Sequence, residues 1–557
     1  MPAPYIKTSV EDQTTRVNSV GGVYSAIVIP ARKGPINTPI LCTSQTQFLR
    51  RFTPNQTLEA NYHKSHWEAY HYLATQNKLW VVRAASDGVK YGGCVIKRAD
   101  SKTVNSNNEI KDGLTTPDTY TFTPQDAFLL YGIDQGKYNN DISIIIDTDV
   151  KKTKLKNTFL LHIYYKAVEV ETFLCSLDPS FKDGYGNNCY VENVLQSSLY
   201  VRAKVNSNLQ NEDGSYPLPA LNYVETENTT EEDRKKTLSL VGGSDGDITK
   251  AKLVTALNTL GNMNQYELQL IMDGGHSDDE LDKVDEVDAD ENSRKAGTFA
   301  NAINDLCKKR LDSCHGILST RYSDEINIDA QNKIVDYRDN KLNLNSRLVE
   351  LYTPHQIIYD EFNDRQIAIS PSCFVTSLIA KHAQELGWHW AVAGYNRGVV
   401  DSLDVVKAFE MGEVDTFSES QINTIIKDPG SGNIIYDELT MLSEAKDMQE
   451  AHIARYVDIY LRPKLKASLK SFLFEFNDEQ TRSLITQMIK TFMEPEKSNR
   501  AVYAYRIVCD ETNNTDSDIQ NNRLNIWLYI KPTKVSKFIN LKVILTPYSV
   551  NLESIEV

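Results

Sequence analysis

Short apolar runs alternate with helical stretches over residues 23–114, and then that alternation stops. In this first stretch residues 23–29 read as a buried strand, and a helix carrying His63, His66, Trp67, Tyr70 and Leu73 follows. Residues 79–83 form another strand, and Gly34-Pro35 and Thr38-Pro39 mark turns. Over 115–228 only brief β-rich runs remain: 127–131, 142–146, 158–165, 168–175 and 198–205. Turn clusters such as 136–140 and Lys182-Asp183-Gly184 divide them, which is the pattern of a sandwich or barrel. Alternation resumes after about residue 235, through 238–241, 250–260, 268–272, 298–309 and 316–319, and predicts a largely parallel, helix-flanked sheet. A chain of 557 residues exceeds the roughly 250 that one core supports, so an all-β insertion in an α/β host accounts for length and rhythm together.

The last third begins near Asn433. It carries an amphipathic helix for which Asn477 is the expected cap, with Leu484, Ile485, Met488, Ile489 and Phe492 as one apolar stripe. Two strands follow, 502–509 and 524–530; in the second, Leu524, Ile526, Leu528 and Ile530 share one face, Asn525, Trp527 and Tyr529 the other. The tail 538–557 alternates Leu541, Val543 and Leu545 without a helix-forming stretch, and reads as a strand with no obvious partner in its own chain. Residues 1–22 are polar, lack periodicity and read as an extended arm.

Several function classes are disfavoured. Apolar runs such as 26–29 and 144–146 fall far short of the roughly 18 residues of a spanning helix, so membrane insertion is not expected. The N-terminus lacks a basic patch and apolar h-region, which predicts a cytosolic chain. Lys+Arg 60 against Asp+Glu 75 leaves a formal charge of -15, a field that repels phosphate backbones, so direct nucleic-acid contact is not expected. Eight scattered cysteines contain no C-x-x-C pair and read as reduced packing residues; no cofactor is implied.

Four segments carry candidate chemistry. Gly242-Gly243-Ser244-Asp245-Gly246 matches the G-x-S-x-G elbow between a strand and a helix, so an α/β serine hydrolase using Ser244 is the alternative function; a glycine turn with Asp247 capping the next helix explains it as well. The carboxylate-rich segment 273–291 has Ser293 and Phe299 where a calcium loop starting at Asp288 needs glycine and glutamate, so a solvated acidic loop is expected. His63, His66 and His71 lack further ligands at metal spacing and read as exposed or interface histidines. Lys464, Lys466 and Lys470 make a locally basic helix in an acidic protein, suited to a helix surface or an acidic partner.

Several stretches resemble the tail sheath proteins of contractile bacteriophages, relatives of the sheaths of contractile bacteriocins and type VI secretion. Gly22-Val23-Tyr24 through Lys33-Gly34-Pro35-Ile36-Asn37-Thr38-Pro39 is similar to the sheath opening strand and its K-G-P-x-N-x-P turn. Thr43-Ser44 to Phe52 continues that similarity, and Leu79-Trp80-Val81-Val82-Arg83 resembles the family's V-V-R strand. Leu240-Val241-Gly242-Gly243 resembles the entry to the sheath's subtilisin-like domain. At the C-terminal end, Phe474-Glu475-Phe476-Asn477-Asp478, Cys509-Asp510-Glu511-Thr512-Asn513-Asn514-Thr515 and Ile530-Lys531-Pro532 with Phe538-Ile539 resemble the F-E-x-N-D, C-D-x-x-N-N-T and I-x-P…F-I elements. Where sheaths often carry N-x-R-R on a helix, this chain has Ala451-His452-Ile453-Ala454-Arg455-Tyr456.

The resemblance implies a mixed α+β (α/β) multidomain fold: a subtilisin-like α/β core without a catalytic triad, an inserted all-β domain, and a C-terminal α+β sheath domain with extended terminal arms. The expected boundaries are 1–22 for the N-terminal arm, 23–114 and 235–432 for the core, 115–228 for the insertion, 433–537 for the sheath domain and 538–557 for the C-terminal arm. The implied function is structural, not enzymatic: a homo-oligomer of helically stacked hexameric rings around the tail tube that contracts to drive the tube through the host envelope. Tube protein, baseplate and tail terminator proteins are the implied partners, and the virion tail, assembled in the host cytoplasm, the implied location. Tyr5, Ile6, Val10, Leu541, Val543 and Leu545 would then belong to inter-subunit arms, Tyr503, Tyr505, Ile526 and Leu528 to a strand-accepting hairpin, and Lys464, Lys466 and Lys470 to tube contacts.

Overall fold

The computed structural model describes residues 22–543, apart from 86, 100–104, 106, 224–229, 231–233, 247, 277–298 and 445. The described residues form two compact units, one ending at Pro463 and one beginning at Lys464.

In the larger unit a nine-stranded sheet is built on six parallel strands, in the spatial order Leu79–Arg83, Ser25–Ile29, Leu270–Met272, His315–Ser319, Val349–Thr353 and Ile422–Asp428. Antiparallel strands close it: Ile40–Cys42 at one end, Gly432–Ile435 and Val399–Val400 at the other. Successive side chains point to opposite faces of a strand, so a sheet buried on both sides needs apolar residues at every position. Ile27, Ile29, Val81, Met272 and Ile317 accordingly enter one core with Trp67, Tyr72 and Phe374 from the helices Ser65–Thr75 and Ser372–Glu385. Ala26, Val28, Val82, Ile271 and Leu318 enter a second core with Leu253, Leu257, Phe299 and Ile303 from Lys250–Asn258 and Phe299–Lys309.

The β-only stretch folds as two antiparallel sheets around one shared core of Ile96, Phe128, Leu130, Ile144, Ile146, Phe159, Leu161 and Ile163. This layer extends beyond residues 115–228 on both sides. Gly93–Lys97 pairs with Asp126–Gly132, and Leu238–Ser239 pairs with Ile144 and Ser143. The polar segment after Lys97 separates the first of these strands from its partners along the sequence, and only cross-strand pairing assigns it. At the far end, Gly432–Ile435 lies in the large sheet, so the change of module falls after the expected Asn433.

The turn at Lys33-Gly34-Pro35 ties the two layers together. Buried Arg83 donates from Nη1 to Gly34 O at 2.8 Å and Gln135 O at 2.7 Å, and Gly34 N donates to Asp134 Oδ2 at 3.1 Å. Gly34 has φ +107, and a Cβ there would lie 2.8 Å from the Phe52 ring, so both conformation and space require glycine. Burial pulls the Lys33 ammonium down to about 8.

Arg455, on the short helix Ala451–Arg455, enters the large unit as a fully buried cation. Its Nη1 donates to both Glu350 carboxylate oxygens at 2.8 and 2.7 Å, and its Nη2 contacts Glu438 Oε1. Tyr352 Oη donates to Glu350 Oε2 at 2.8 Å, and Glu438 Oε2 accepts from Val392 N at 2.7 Å. One turn on, Asp458 accepts from Arg347 Nε at 2.9 Å and Arg462 Nη1 at 2.6 Å. His315 lies between the two acids, 3.7 Å from Glu350 and 3.6 Å from Asp458, within ion-pair range. Burial alone would pull His315 down, but the Asp458 and Glu350 carboxylates outweigh it and hold the imidazole above its usual range. Burial would push Asp458 up, yet His315 and Arg347 hold it at about 2.

Truncating a buried ion pair on one side leaves the partner charge uncompensated, at a cost of about 3–5 kcal/mol. Arg455→Met should therefore lower the unfolding free energy by that amount while retaining the side chain's volume; a loss below about 1 kcal/mol in urea melts would contradict the arrangement. The same network sets a pH window. Asp458, with a depressed pKa, contributes stability that is present above about pH 4 and lost as pH falls toward 2. His315, with a raised pKa, contributes stability that is present below about pH 6.5 and lost as pH climbs through its folded value. Urea midpoints measured against pH should fall on both sides of that window, and Asp458→Asn should flatten the acid limb.

Candidate assembly interface

The smaller unit is a helix-backed hairpin. Its helix, Glu479–Ser498, is capped by Asp478, whose carboxylate accepts from Thr481 N at 2.7 Å. Asn477, the residue expected to cap, instead donates from Nδ2 to Arg523 O at 2.8 Å and accepts from Arg482 Nη1 at 3.1 Å, one residue too early for the first turn. Ile485, Ile489, Phe492 and Met493 form the buried stripe; Met488 is half-buried and Leu484 exposed, because they sit on its flank.

Strands Val502–Val508 and Trp527–Pro532 pair antiparallel, with Tyr505 opposite Ile530 and Ile507 opposite Leu528. These four residues are half-buried, as is Ile526 just before the second strand. Tyr503 is exposed, with Lys531 Nζ 5.0 Å above its ring, and Tyr505 Oη donates to Glu494 Oε1 at 2.5 Å. Trp527 and Tyr529 are also exposed. Among the described residues no third strand joins the pair, so both outer edges present main-chain donors and acceptors.

The Asn513-Asn514 pair pins the base of this hairpin. Asn513 Nδ2 donates to Val508 O at 2.9 Å and Asn525 O at 3.0 Å, and its Oδ1 accepts from Asp510 N at 3.0 Å. Asn514 Oδ1 accepts from Asn525 N at 2.6 Å. Both side chains are buried, and they join the end of one strand to the approach of the next. Sequence reasoning quoted this pair only as part of a motif; adjacent asparagines between two strands are the signal that could have marked it.

Leu541 and Val543 are exposed, in neither helix nor strand, and have no strand partners among the described residues. Tyr5, Ile6, Val10 and Leu545 lie outside the described residues. Of the three lysines, Lys466 and Lys470 are exposed, whereas Lys464 is half-buried and burial lowers its pKa against the pull of Glu496.

The remaining candidates resolve as packing. Ser244 Oγ accepts from Gly246 N at 3.3 Å, and no histidine is among its hydrogen-bond partners. The left-handed positions are Gly242 and Gly246, not the serine, and a Cβ on Gly242 would lie 2.3 Å from Ile110 O. Close approach of two chain segments therefore explains the glycines, and the hydrolase reading is not supported. The next helix is capped at Thr249; Asp247 lies outside the described residues, as does most of the acidic segment. His66 is buried against Tyr62, with ring centroids 5.1 Å apart, and His71 packs half-buried on Phe374 at 4.4 Å, so neither fits the exposed half of the exposed-or-interface expectation.

A doubly covered α/β core, a two-sheet β layer and a helix-backed hairpin define a class: the mixed α+β multidomain fold of sheath proteins. The sheath tail proteins of Desulfitobacterium hafniense and Listeria innocua superpose with TM-scores of 0.54 each, at 10% and 11% identity, covering 92% and 93% of this chain and 94% and 96% of theirs. Residues 443–546 match the family model of the phage tail sheath C-terminal domain. The tail sheath protein of Enterobacteria phage T4 is 26% identical over 317 residues, 56% of this chain and 47% of that protein. That of Vibrio phage KVP40 is 23% identical over 394 residues, 68% of this chain and 53% of that protein. The matched regions thus span about half the length of these relatives. The chain is thus similar to phage tail sheath proteins, by family model over residues 443–546 and by fold over nearly its whole length.

Removing Asn513 would leave several buried main-chain groups unpaired, at about 1–3 kcal/mol for each. Asn513→Ala should accelerate amide exchange across Val502–Val508 by about thirtyfold, equivalent to about 2 kcal/mol, while leaving the large parallel sheet protected. Unchanged exchange in that strand would remove Asn513 from its assigned role.

Proposed function

We propose that this chain is a structural, force-generating subunit of a contractile phage tail sheath. It polymerises as stacked hexameric rings around the tail tube and shortens to drive the tube through the host envelope. The observation that carries this reading is the open-edged hairpin inside the region that matches the sheath C-terminal domain. A two-stranded sheet is marginal in water until further strands join it, and extended segments with alternating apolar side chains supply such strands. Leu541 and Val543 are exposed to solvent, which suits a segment that docks on a neighbouring subunit. The N-terminal arm around Tyr5, Ile6 and Val10 and the tail through Leu545 are proposed as further donors, with Tyr503, Tyr505, Ile526 and Leu528 on the accepting hairpin.

In this reading the α/β core is a subtilisin-like domain without a triad, and the inserted β layer faces outward. Exposed Lys466 and Lys470 are the better candidates for the tube surface, with Lys464 supporting their helix. Tube, baseplate and terminator proteins are the proposed partners, and the virion tail, assembled in host cytoplasm, the proposed location.

Deleting residues 1–20 or 541–557 should leave a folded, soluble monomer that no longer polymerises. Circular dichroism with light scattering reads both properties, and electron microscopy shows the product; sheath-like tubes from either truncated chain would refute strand exchange as the link.

A further inference from the structure

The helix Phe299–Lys309 and the strand His315–Ser319 are joined by a turn that brings two distant-looking cysteines together. The Sγ atoms of Cys307 and Cys314 lie 3.6 Å apart in thiol–thiol contact, and both residues are fully buried. Leu311 and Asp312 are consecutive non-glycine residues with φ +56, a conformation costing each about 1 kcal/mol or more. Leu311 is exposed, so this strained turn is the natural point of local opening onto the thiols. Arg310 is buried beside them. Its Nη1 and Nη2 donate to Leu260 O at 2.5 Å and Tyr266 O at 2.8 Å, while its Nε has no hydrogen-bond partner among the described residues.

We propose that Cys307 and Cys314 form an oxidisable dithiol, a modification site at which a small peroxide converts the pair to an internal disulfide. The Cys314 thiolate attacks one oxygen of hydrogen peroxide, the O–O bond breaks, and hydroxide leaves to take up a proton. Cys307 then attacks the Cys314 sulfenic sulfur, the S–O bond breaks, and water departs with the Cys307 proton. The net change is two thiols and one peroxide to one disulfide and two waters. The assignment of Cys314 as the attacking group agrees with its surroundings. The hydrogen bond between the two thiols, assisted by Arg310 and His315, holds the Cys314 thiol below its usual range, whereas burial pushes Cys307 well above it. The six residues between them make a short loop, and bonding S to S at about 2 Å requires only a small approach.

The test uses the full-length native protein treated with hydrogen peroxide, alkylated after denaturation and digested with trypsin. Lys308, Lys309 and Arg310 fall between the cysteines, so a disulfide joins two separate tryptic peptides about 2 Da lighter than their sum. The expected result is that linked pair, lost on reduction, with a melting temperature raised by roughly 5 °C in the oxidised protein. Dimedone should label Cys314 in Cys307→Ser but leave Cys307 unlabelled in Cys314→Ser. Full alkylation of both residues in oxidant-treated wild type would overturn the site, and dimedone on Cys307 alone would overturn the order of attack.

Discussion

The buried contact between Arg455 and Glu350 constrains the larger unit more than any other. A guanidinium removed from water is stable only where carboxylates meet it, and here they come from a central strand and from the segment after the last one. Glu350 belongs to Val349–Thr353 and Glu438 follows Gly432–Ile435, so one cation fixes the helix Ala451–Arg455 against sheet elements far apart in sequence. Asp458, His315, Arg347 and Asp312 extend the same balance along the helical chain that leaves the unit. With Arg462 beside Asp458, four cations meet four carboxylates when His315 is protonated, and the paired carboxylates are what raise its affinity for that proton.

A network of this kind gives rigidity at the place where the chain changes units. Directional, fully buried ion contacts hold the elements they join to one arrangement. The junction at Gly34 follows the same logic on a smaller scale. Arg83 donates to two main-chain carbonyls there, and the Asp134 carboxylate on the adjoining turn accepts from Gly34 N. Both sites bury charge where layers meet rather than inside one layer.

The hairpin is organised in the opposite manner. Its own fold is secured by neutral side-chain amides at its base, while its edges and several aromatic side chains stay in water. Such a surface is an incomplete sheet, and its open edges are templates on which a further strand can pair.

Strand positions in the core and the β layer were legible because burial on one or both faces writes a period-two or continuous apolar pattern into the chain; 168–175 and 142–146 match their strands to within a residue. The insertion limits were not legible, since Gly93–Lys97 is separated from its partners by a polar segment and only pairing reveals its layer. Ser244 shows the converse, a local motif whose first glycine, Gly242, answers a steric contact with Ile110 and Gly113 that the sequence does not display. The helix cap shifted from Asn477 to Asp478 because either side chain can cap, and the backbone entering the helix selects between them.

What the sequence by itself determined was the class of each segment, the two unpartnered-looking ends and the sheath-like motifs, because these depend on local propensity and periodicity. Tertiary structure alone decided which charges meet. Arg455 with Glu350 and His315 between two acids depend on strands and helices brought together by long-range pairing, and spacing along the chain carries no record of those distances.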